Sequence, residues 1–209
     1  MTILIATGLM REARILAGSG TRVVVGGGAS GRLEADLDRL VPGMAGILSI
    51  GIAGALEPGL RPGDWVVDGE AAWSARLAAT LPGARRGGVL GQDHMVAEAA
   101  DKAALHRETG ALAVDMESHI AARVAYRHGL PFAAARVISD GADRSLPPAA
   151  RVGMRPDGGM NLPAVLLSLA RNPLQLPALI RTGWEAERAF RALLRGHDAL
   201  GPGLAGPTG

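Results

Sequence analysis

The chain has 209 residues, of which 48% are hydrophobic and 20% are charged, as is typical of a globular domain. Its formal net charge is only +2, it has no basic block, and three Trp, one Tyr and two Phe offer few stacking surfaces, so nucleic-acid binding is not expected. The absence of cysteine excludes disulfides, thiolate catalysis and cysteine-ligated metal ions.

Short apolar runs bounded by glycine, proline or acids predict buried strands. Most of them do not alternate with polar residues, a pattern that indicates strands covered on both faces. In chain order the runs are residues 3–6, 22–25, 46–50, 64–67, 111–114 and 132–138. Helical spacing predicts helices over residues 31–40, 96–108, 116–128, 164–171 and 176–195. The alternation of strands and helices predicts an α/β fold with a mainly parallel sheet.

Length and composition predict the domain organisation. The chain is long enough for one large α/β domain and too short for two, so we assign residues 1–200 to a single domain. The Gly/Pro-rich residues 201–209 are expected to be disordered. The N-terminal residues lack the basic start of a signal peptide, and the longest uncharged stretch, 41–56, falls short of the ~20 residues of a spanning helix. We therefore expect a cytoplasmic protein.

Common cofactor and metal motifs do not match the chain. The glycine-rich residues 26–31 follow a strand and open a helix, but they lack G-x-G-x-x-G spacing and the acid that binds a ribose, so they indicate close approach of a smaller ligand. The five histidines have no metal-ligand spacing, and no G-x-S-x-G elbow is present. No metal, dinucleotide or serine nucleophile is predicted.

Three carboxylates follow predicted strands: Glu12, Glu117 and Asp140. At equivalent ends of a parallel sheet they would converge on one pocket. Each also has a local explanation, because Glu12 and Glu117 suit the first turn of a helix and Asp140 suits a turn. These residues alone leave the two interpretations open.

Four segments together resemble a known family. They read "ILIATGLMREARIL", "SIGIAGAL", "AVDMES" and "RVISDGAD", and in this order they are similar to motifs of the nucleoside phosphorylase/nucleosidase superfamily. The likeness, over residues 3–143, is strongest to methylthioadenosine/S-adenosylhomocysteine nucleosidases. It implies a three-layer α/β/α sandwich around a mixed, mostly parallel sheet, a homodimer, a nucleoside substrate, and no cofactor apart from phosphate if the bond is broken by phosphorolysis.

The resemblance also implies roles for individual residues. Asp140 would protonate the departing purine, Glu117 would bind the ribose hydroxyls, Glu12 would orient water, and Asp115 would be a structural acid. An acid at the base and a carboxylate across the sugar are what N-ribosidic cleavage needs. The further substrate contacts implied are Gly51, Ile52, His94, Met95, Met116 and Ser139, with His94 in the position that stacks on the base.

The nucleophile differs between branches of this superfamily. Related phosphorylases carry an arginine where this chain has Ser49 and a hydroxyl where it has Ile52. Gly8, Arg11 and Gly28 are candidates for a phosphate site, but the charge of nearby Glu12 would repel phosphate. We therefore favour hydrolysis over phosphorolysis.

The C-terminal segment, residues 162–195, is longer than in typical nucleosidases and is apolar and arginine-rich. It is similar to that of hopanoid-associated phosphorylases, which implies release of adenine from a lipid-linked adenosyl-hopane. Such a segment would line an apolar groove or contact the inner membrane face, although a core and dimer-interface helix pair explains it equally well. The alternatives are a methylthioadenosine/S-adenosylhomocysteine nucleosidase and a non-catalytic nucleoside-binding protein.

Overall fold

The computed structural model describes residues 1–155 and 157–207, which form eight strands and eight α-helices. The strands are β1 (Ile3–Thr7), β2 (Thr21–Val25), β3 (Gly46–Ala55), β4 (Trp65–Gly69), β5 (Arg85–Arg86), β6 (Val89–Gly91), β7 (Ala113–Asp115) and β8 (Phe132–Asp140). The helices are α1 (Met10–Leu16), α2 (Ser30–Leu40), α3 (Ala71–Thr80), α4 (Ala99–Thr109), α5 (Ser118–Arg127), α6 (Pro148–Arg151), α7 (Leu162–Arg171) and α8 (Leu176–Leu200).

All eight strands belong to one mixed sheet. Its main path has the order β2-β1-β3-β8-β4-β5, in which β4 runs antiparallel to β8 and the other neighbours are parallel. β7 pairs antiparallel with the far end of β3, and β6 pairs parallel with β7. The predicted α/β fold with a mixed, mostly parallel sheet is therefore confirmed.

Both faces of the sheet are covered, as β1 illustrates. Ile3 and Ile5 join the apolar cluster that contains residues of α1, α3 and α8. Leu4 and Ala6 join the opposite cluster, with residues of α2 and α5. Successive side chains of a strand point to opposite faces, so a strand between two helical layers is apolar at every position. This explains the non-alternating runs and gives three layers.

Several element boundaries differ from the prediction. β3 continues to Ala55 rather than ending at residue 50, because its second half still pairs with β8 and β7. β7 is shorter than predicted and begins at Ala113. The helix α3 and the short strands β5 and β6 were not predicted, and two- or three-residue strands are too short to give a periodic signal.

The two halves of α8 have different environments. Its second half is buried, and Gly196 lies so close to the indole of Trp65 that a Cβ there would be 2.3 Å from Cζ2. The first half, together with α7, is largely exposed, and α7 has no buried residue. Within residues 1–155 and 157–207, none of the helices combines the length and apolarity that crossing a bilayer requires.

The C-terminal tail departs from the expected disorder. Residues 201–207 fold in turns, and Leu204 is fully buried in the same cluster as Ile3. Gly201 and Gly203 have positive φ values, which lets the chain reverse tightly and return to the sheet. The expectation also covered Thr208 and Gly209, which lie outside the described residues.

Candidate active site

Glu12 is buried in the first turn of α1, with its carboxylate turned back towards the ends of β1 and β3. Its Oε2 accepts hydrogen bonds from Thr7 Oγ1 at 2.6 Å, the Gly8 N–H at 2.9 Å and the Leu9 N–H at 2.7 Å. Its Oε1 accepts the Ile52 N–H at 2.7 Å. Glu12 thus caps the helix and carries a fixed, oriented carboxylate at the same time.

Two glycines let the backbone approach the acids. A Cβ at Gly51 would lie 2.6 Å from Glu12 Oε1, and a Cβ at Gly8 would lie 2.7 Å from Glu117 Oε1. Any side chain at either position would displace a buried carboxylate. The structure therefore brings the predicted residues Gly8, Gly51 and Ile52 together with Glu12 and Glu117.

A fully buried arginine, Arg136 of β8, joins these acids. Its Nε lies 2.5 Å from Asp115 Oδ2, its Nη2 lies 3.5 Å from Glu117 Oε2, and Nη2 donates to Ser49 Oγ at 2.6 Å. Asp115 also accepts the N–H and hydroxyl of Ser118 at the start of α5. Arg136 was not predicted as a site residue, although an arginine within a buried apolar strand was a visible signal.

This cluster holds three acids and one arginine, and the pKa of Glu117 is shifted within it. Burial raises the pKa of Glu117 to about 8; Arg136 opposes the shift, while Asp115 and Glu12 add to it. Burial also disfavours the charge of Arg136, but the three neighbouring acids outweigh burial and raise its pKa above the ordinary value. With one cation among three acids, Glu117 holds a proton near neutral pH unless hydroxyl donors reach it.

One donor of Arg136 lies close to Gly51 and to the Glu12 carboxylate. Its Nη1 has no hydrogen-bond partner among the described residues. A Cβ built on Gly51 would lie 2.9 Å from Nη1 and 2.6 Å from Glu12 Oε1, so the donor and the carboxylate approach the same point. Nη1 and the Glu12 carboxylate therefore both pack against Gly51, and Nη1 remains a buried donor without a protein acceptor among these residues.

Asp140 ends β8, the strand that carries Arg136, and is buried. Its Oδ1 accepts the hydroxyl of Ser139 at 2.7 Å. Its Oδ2 accepts from the ammonium of Lys102, a fully buried residue of α4. Lys102 was not predicted as a site residue, although it is the only lysine in the sequence.

Arg11, His94 and Met95 are exposed to solvent. Arg11 forms an ion pair with Glu187 of α8 at 2.6 Å and stacks 4.0 Å from the ring centroid of Phe190. It therefore does not complete a phosphate site with Gly8 and Gly28, because adjacent helix positions point about 100° apart and Glu12 takes the inward direction. His94 and Met95 are exposed in the segment between β6 and α4.

Methionines line the approach to Glu117 from the Gly28 side. A Cβ at Gly28 would contact Met154 Cε at 3.1 Å and Met116 Cε at 3.3 Å. Met154 pairs with the exposed Met160 in an isolated antiparallel bridge, and Met10, which is also exposed, begins α1. We call these four methionines (10, 116, 154 and 160) the methionine rim, an apolar and adaptable surface beside the predicted sugar site.

Asp140 also lines a cleft of about 390 Å³. Its lining includes Arg144 and Glu185, and the apolar residues Leu174, Pro177 and Ala178 from the segment between α7 and the middle of α8. Burial raises the pKa of Glu185. The charges of Asp140 and Asp143 add to this shift, whereas those of Arg144 and Arg181 oppose it. The cleft joins Asp140 directly to the exposed apolar helices.

The sheet topology defines the fold, and comparisons with known proteins bear on the class of enzyme. A family model described as the phosphorylase superfamily matches residues 70–171. This range includes Lys102, Glu117, Arg136 and Asp140. The match supports the family resemblance and the enzyme class predicted from the motifs, a nucleosidase or nucleoside phosphorylase. No curated protein matches the chain significantly.

Several solved structures share the fold. A 5′-methylthioadenosine/S-adenosylhomocysteine nucleosidase from S. pneumoniae, bound to a transition-state inhibitor, is 17% identical with a TM-score of 0.61, over 96% of this chain and 100% of that one. The D198N mutant of the Helicobacter pylori enzyme with 5′-methylthioadenosine is 17% identical with a TM-score of 0.60, over 94% and 98%. A futalosine hydrolase of Helicobacter pylori is 16% identical with a TM-score of 0.57, over 93% and 97%. These likenesses confirm the fold.

Proposed function

We propose that this protein hydrolyses the N-ribosidic bond of a 5′-substituted adenosine and releases adenine. The observation that carries the proposal is the convergence of two buried acids, Glu12 and Glu117, on Arg136, with Asp140 at the end of the same strand as the arginine. The superfamily match and the nucleosidase-like fold support this class of enzyme. A protein that only bound nucleosides would need the ribose anchor but not two further buried acids.

The proposed reaction assigns one task to each acid. Glu117 binds the 2′ and 3′ hydroxyls, whose donors favour its ionised form and fix the sugar without reacting. Glu12 accepts a proton from water as the water oxygen attacks C1′. Asp140 passes a proton to the base as the C1′–N bond breaks. The electron pair of that bond moves to the base. The carboxylates also favour the positive charge that develops on the ribose ring.

Hydrolysis is favoured over phosphorolysis by the charges around Arg136. Its guanidinium is already shared by Asp115, Glu117 and, through space, Glu12, so a phosphate would approach more negative than positive charge. Arg11 is engaged by Glu187 rather than free to bind an anion. A neutral water molecule meets neither obstacle.

The 5′ substituent is proposed to be apolar and, in the leading case, the lipid of an adenosyl-hopane. The methionine rim offers an apolar exit beside the sugar site. Beyond it, residues 162–184, which we call the apolar hairpin, expose large side chains that include Leu174 at 91% and Trp184 at 75%. A lipid-linked substrate at the inner membrane face would cover such a surface, with Arg171 and Arg181 towards anionic head groups.

The test is adenine release from a series of 5′-substituted adenosines, each assayed with and without phosphate. We compare methylthioadenosine, S-adenosylhomocysteine and an adenosine with a long 5′ alkyl chain presented in anionic vesicles. We expect free sugar as product, no dependence on phosphate, and kcat/KM at least about tenfold higher for the alkyl substrate.

Two results would redirect the proposal. A sugar 1-phosphate product would replace hydrolysis by phosphorolysis. Equal rates on all substrates would remove the lipid and favour the alternative, a methylthioadenosine/S-adenosylhomocysteine nucleosidase. If no substrate released adenine, the remaining alternative would be a protein that binds nucleosides without catalysis.

A further inference from the structure

The base side of the site contains a buried ion pair. The Lys102 ammonium donates to Asp140 Oδ2, to the Gly141 carbonyl at 3.1 Å and to the Arg144 carbonyl at 2.9 Å, so each of its three protons has an acceptor. Lys102 is fully buried, and Asp140 is nearly so. A buried charge without a partner costs several kcal/mol, so each residue makes the burial of the other possible.

This arrangement raises the question of where the proton for the base comes from. Asp140 Oδ1 accepts from Ser139, and Oδ2 accepts from Lys102, so both oxygens act as acceptors in the resting site. An ionised carboxylate has no proton to give. If Asp140 protonates the base, it must first receive a proton, and the ammonium is its nearest donor.

We propose that Lys102 supplies this proton and acts through Asp140. The inference rests on the proposed function, because it needs a leaving group that must be protonated. A proton moves from Lys102 Nζ to the Asp140 carboxylate, which converts the ion pair into a neutral amine and a carboxylic acid. The acid gives that proton to a ring nitrogen of the base, and the C1′–N bond breaks with its electron pair going to the base. Neutral adenine leaves, and Lys102 regains a proton from solvent through the cleft that reaches Asp140.

The same contacts also suit a purely structural role, since Lys102 ties α4 to the turn after β8. The leaving group separates the two roles. Adenine departs with a proton, whereas para-nitrophenolate departs as a stable anion and needs none. A structural defect slows both reactions, while loss of the proton source slows only adenine release.

The first experiment compares Lys102→Met, Lys102→Arg and the wild type on an adenosine substrate and on para-nitrophenyl riboside. For Lys102→Met we expect kcat for adenine release to fall about 100-fold, KM to stay within about threefold, and nitrophenolate release to stay within about threefold. Lys102→Arg should behave similarly, because arginine keeps the positive charge but does not give up its proton. Asp101→Asn, an exposed neighbour on α4, is the matched control and should leave both rates unchanged.

Each other outcome overturns the inference. Equal losses on both substrates would show that Lys102 has a structural role. Restoration of adenine release by Lys102→Arg would show that only the positive charge of Lys102 is needed. Unchanged rates in Lys102→Met would exclude it altogether. If the wild type cleaved the nitrophenyl riboside but no adenosine, the proposed substrate would be wrong, and if it cleaved neither, the proposed function would fail and this inference with it.

A second measurement needs no activity. Because the sequence contains a single lysine, protein grown on isotopically labelled lysine gives one side-chain resonance in an NMR spectrum. We expect an ammonium signal that exchanges slowly with solvent and that shifts on binding of an adenine nucleoside and in Asp140→Asn. A signal typical of a solvated lysine, unmoved by Asp140→Asn, would overturn the ion pair on which the proton transfer depends.

Discussion

Gly51 lies against the carboxylate of Glu12 so closely that a methyl group on Gly51 would be 2.6 Å from Oε1. The contact is possible because β3 carries no side chain at this point, and the Ile52 N–H next to it donates to the same oxygen. The orientation of the Glu12 carboxylate therefore depends on a residue that offers no functional group of its own.

Gly51→Ala should displace the Glu12 carboxylate and lower activity. We expect kcat to fall about 100-fold and the free energy of unfolding to fall by about 1–3 kcal/mol, because the methyl group overpacks a buried site. Steady-state kinetics and urea unfolding measure the two effects. Gly18→Ala is the matched control, since nothing lies within 4 Å of its Cβ position; equal behaviour of the two variants would contradict the close contact.

Asp140→Asn should abolish adenine release while largely sparing nucleoside binding. The structure adds a cost in stability, because the variant leaves the Lys102 ammonium buried without a counter-charge, an effect of about 3–5 kcal/mol. The double variant Asp140→Asn/Lys102→Met should recover most of that stability without recovering activity. Urea unfolding of the three variants tests this, and additive losses in the double variant would argue against the pair.

Glu117 should make stability depend on pH. Its pKa of about 8 in the folded protein exceeds the ordinary value of 4.5, so the folded state holds a proton that the unfolded state releases between these values. The stabilisation is full below about pH 4.5 and is lost as the pH rises to about 8, a change on the order of 5 kcal/mol.

Glu117→Gln removes this titration. The variant should therefore gain stability relative to the wild type as the pH rises from 5 to 8.5, while its KM for nucleosides increases because an amide is a weaker acceptor for the ribose hydroxyls. Urea unfolding at several pH values measures the first effect. Parallel stability curves for the variant and the wild type would exclude a protonated Glu117.

The apolar hairpin should matter only for a lipid-linked substrate. Leu166→Asp places a charge on its exposed surface and outside the cleft that reaches Asp140, so we expect at least about a tenfold loss of kcat/KM on an alkyl-adenosine in vesicles and little change on methylthioadenosine. Tyr126→Asp is the control, since Tyr126 is also exposed but belongs to α5 and not to the hairpin. A loss on both substrates would indicate a structural role for the hairpin.

Much of the fold and the positions of the acids could be predicted from local patterns. Uniformly apolar runs require strands that are covered on both faces, and β1, β2 and β8 lie where these runs predict them. Glu12 and Asp140 follow the parallel strands β1 and β8, whose carboxyl ends lie at one edge of the sheet. Glu117 instead follows β7, which runs antiparallel to β3, so that rule does not explain its position beside Glu12 and Arg136. Boundaries were less predictable, because β3 extends as far as its neighbours can pair with it.

The sequence by itself determined the layered sheet, the acids at its edge and the glycines that let the backbone approach them. Tertiary structure decided which charges meet. Lys102 and Asp140 lie on different elements, and so do Arg136 and Asp115, and no local pattern pairs them. Arg11 was a candidate for a phosphate site, but in the structure it forms an ion pair with Glu187 and stacks on Phe190. Local patterns depend on neighbours along the chain, whereas a buried charge is stabilised by whatever the packing of distant elements brings within a few ångströms.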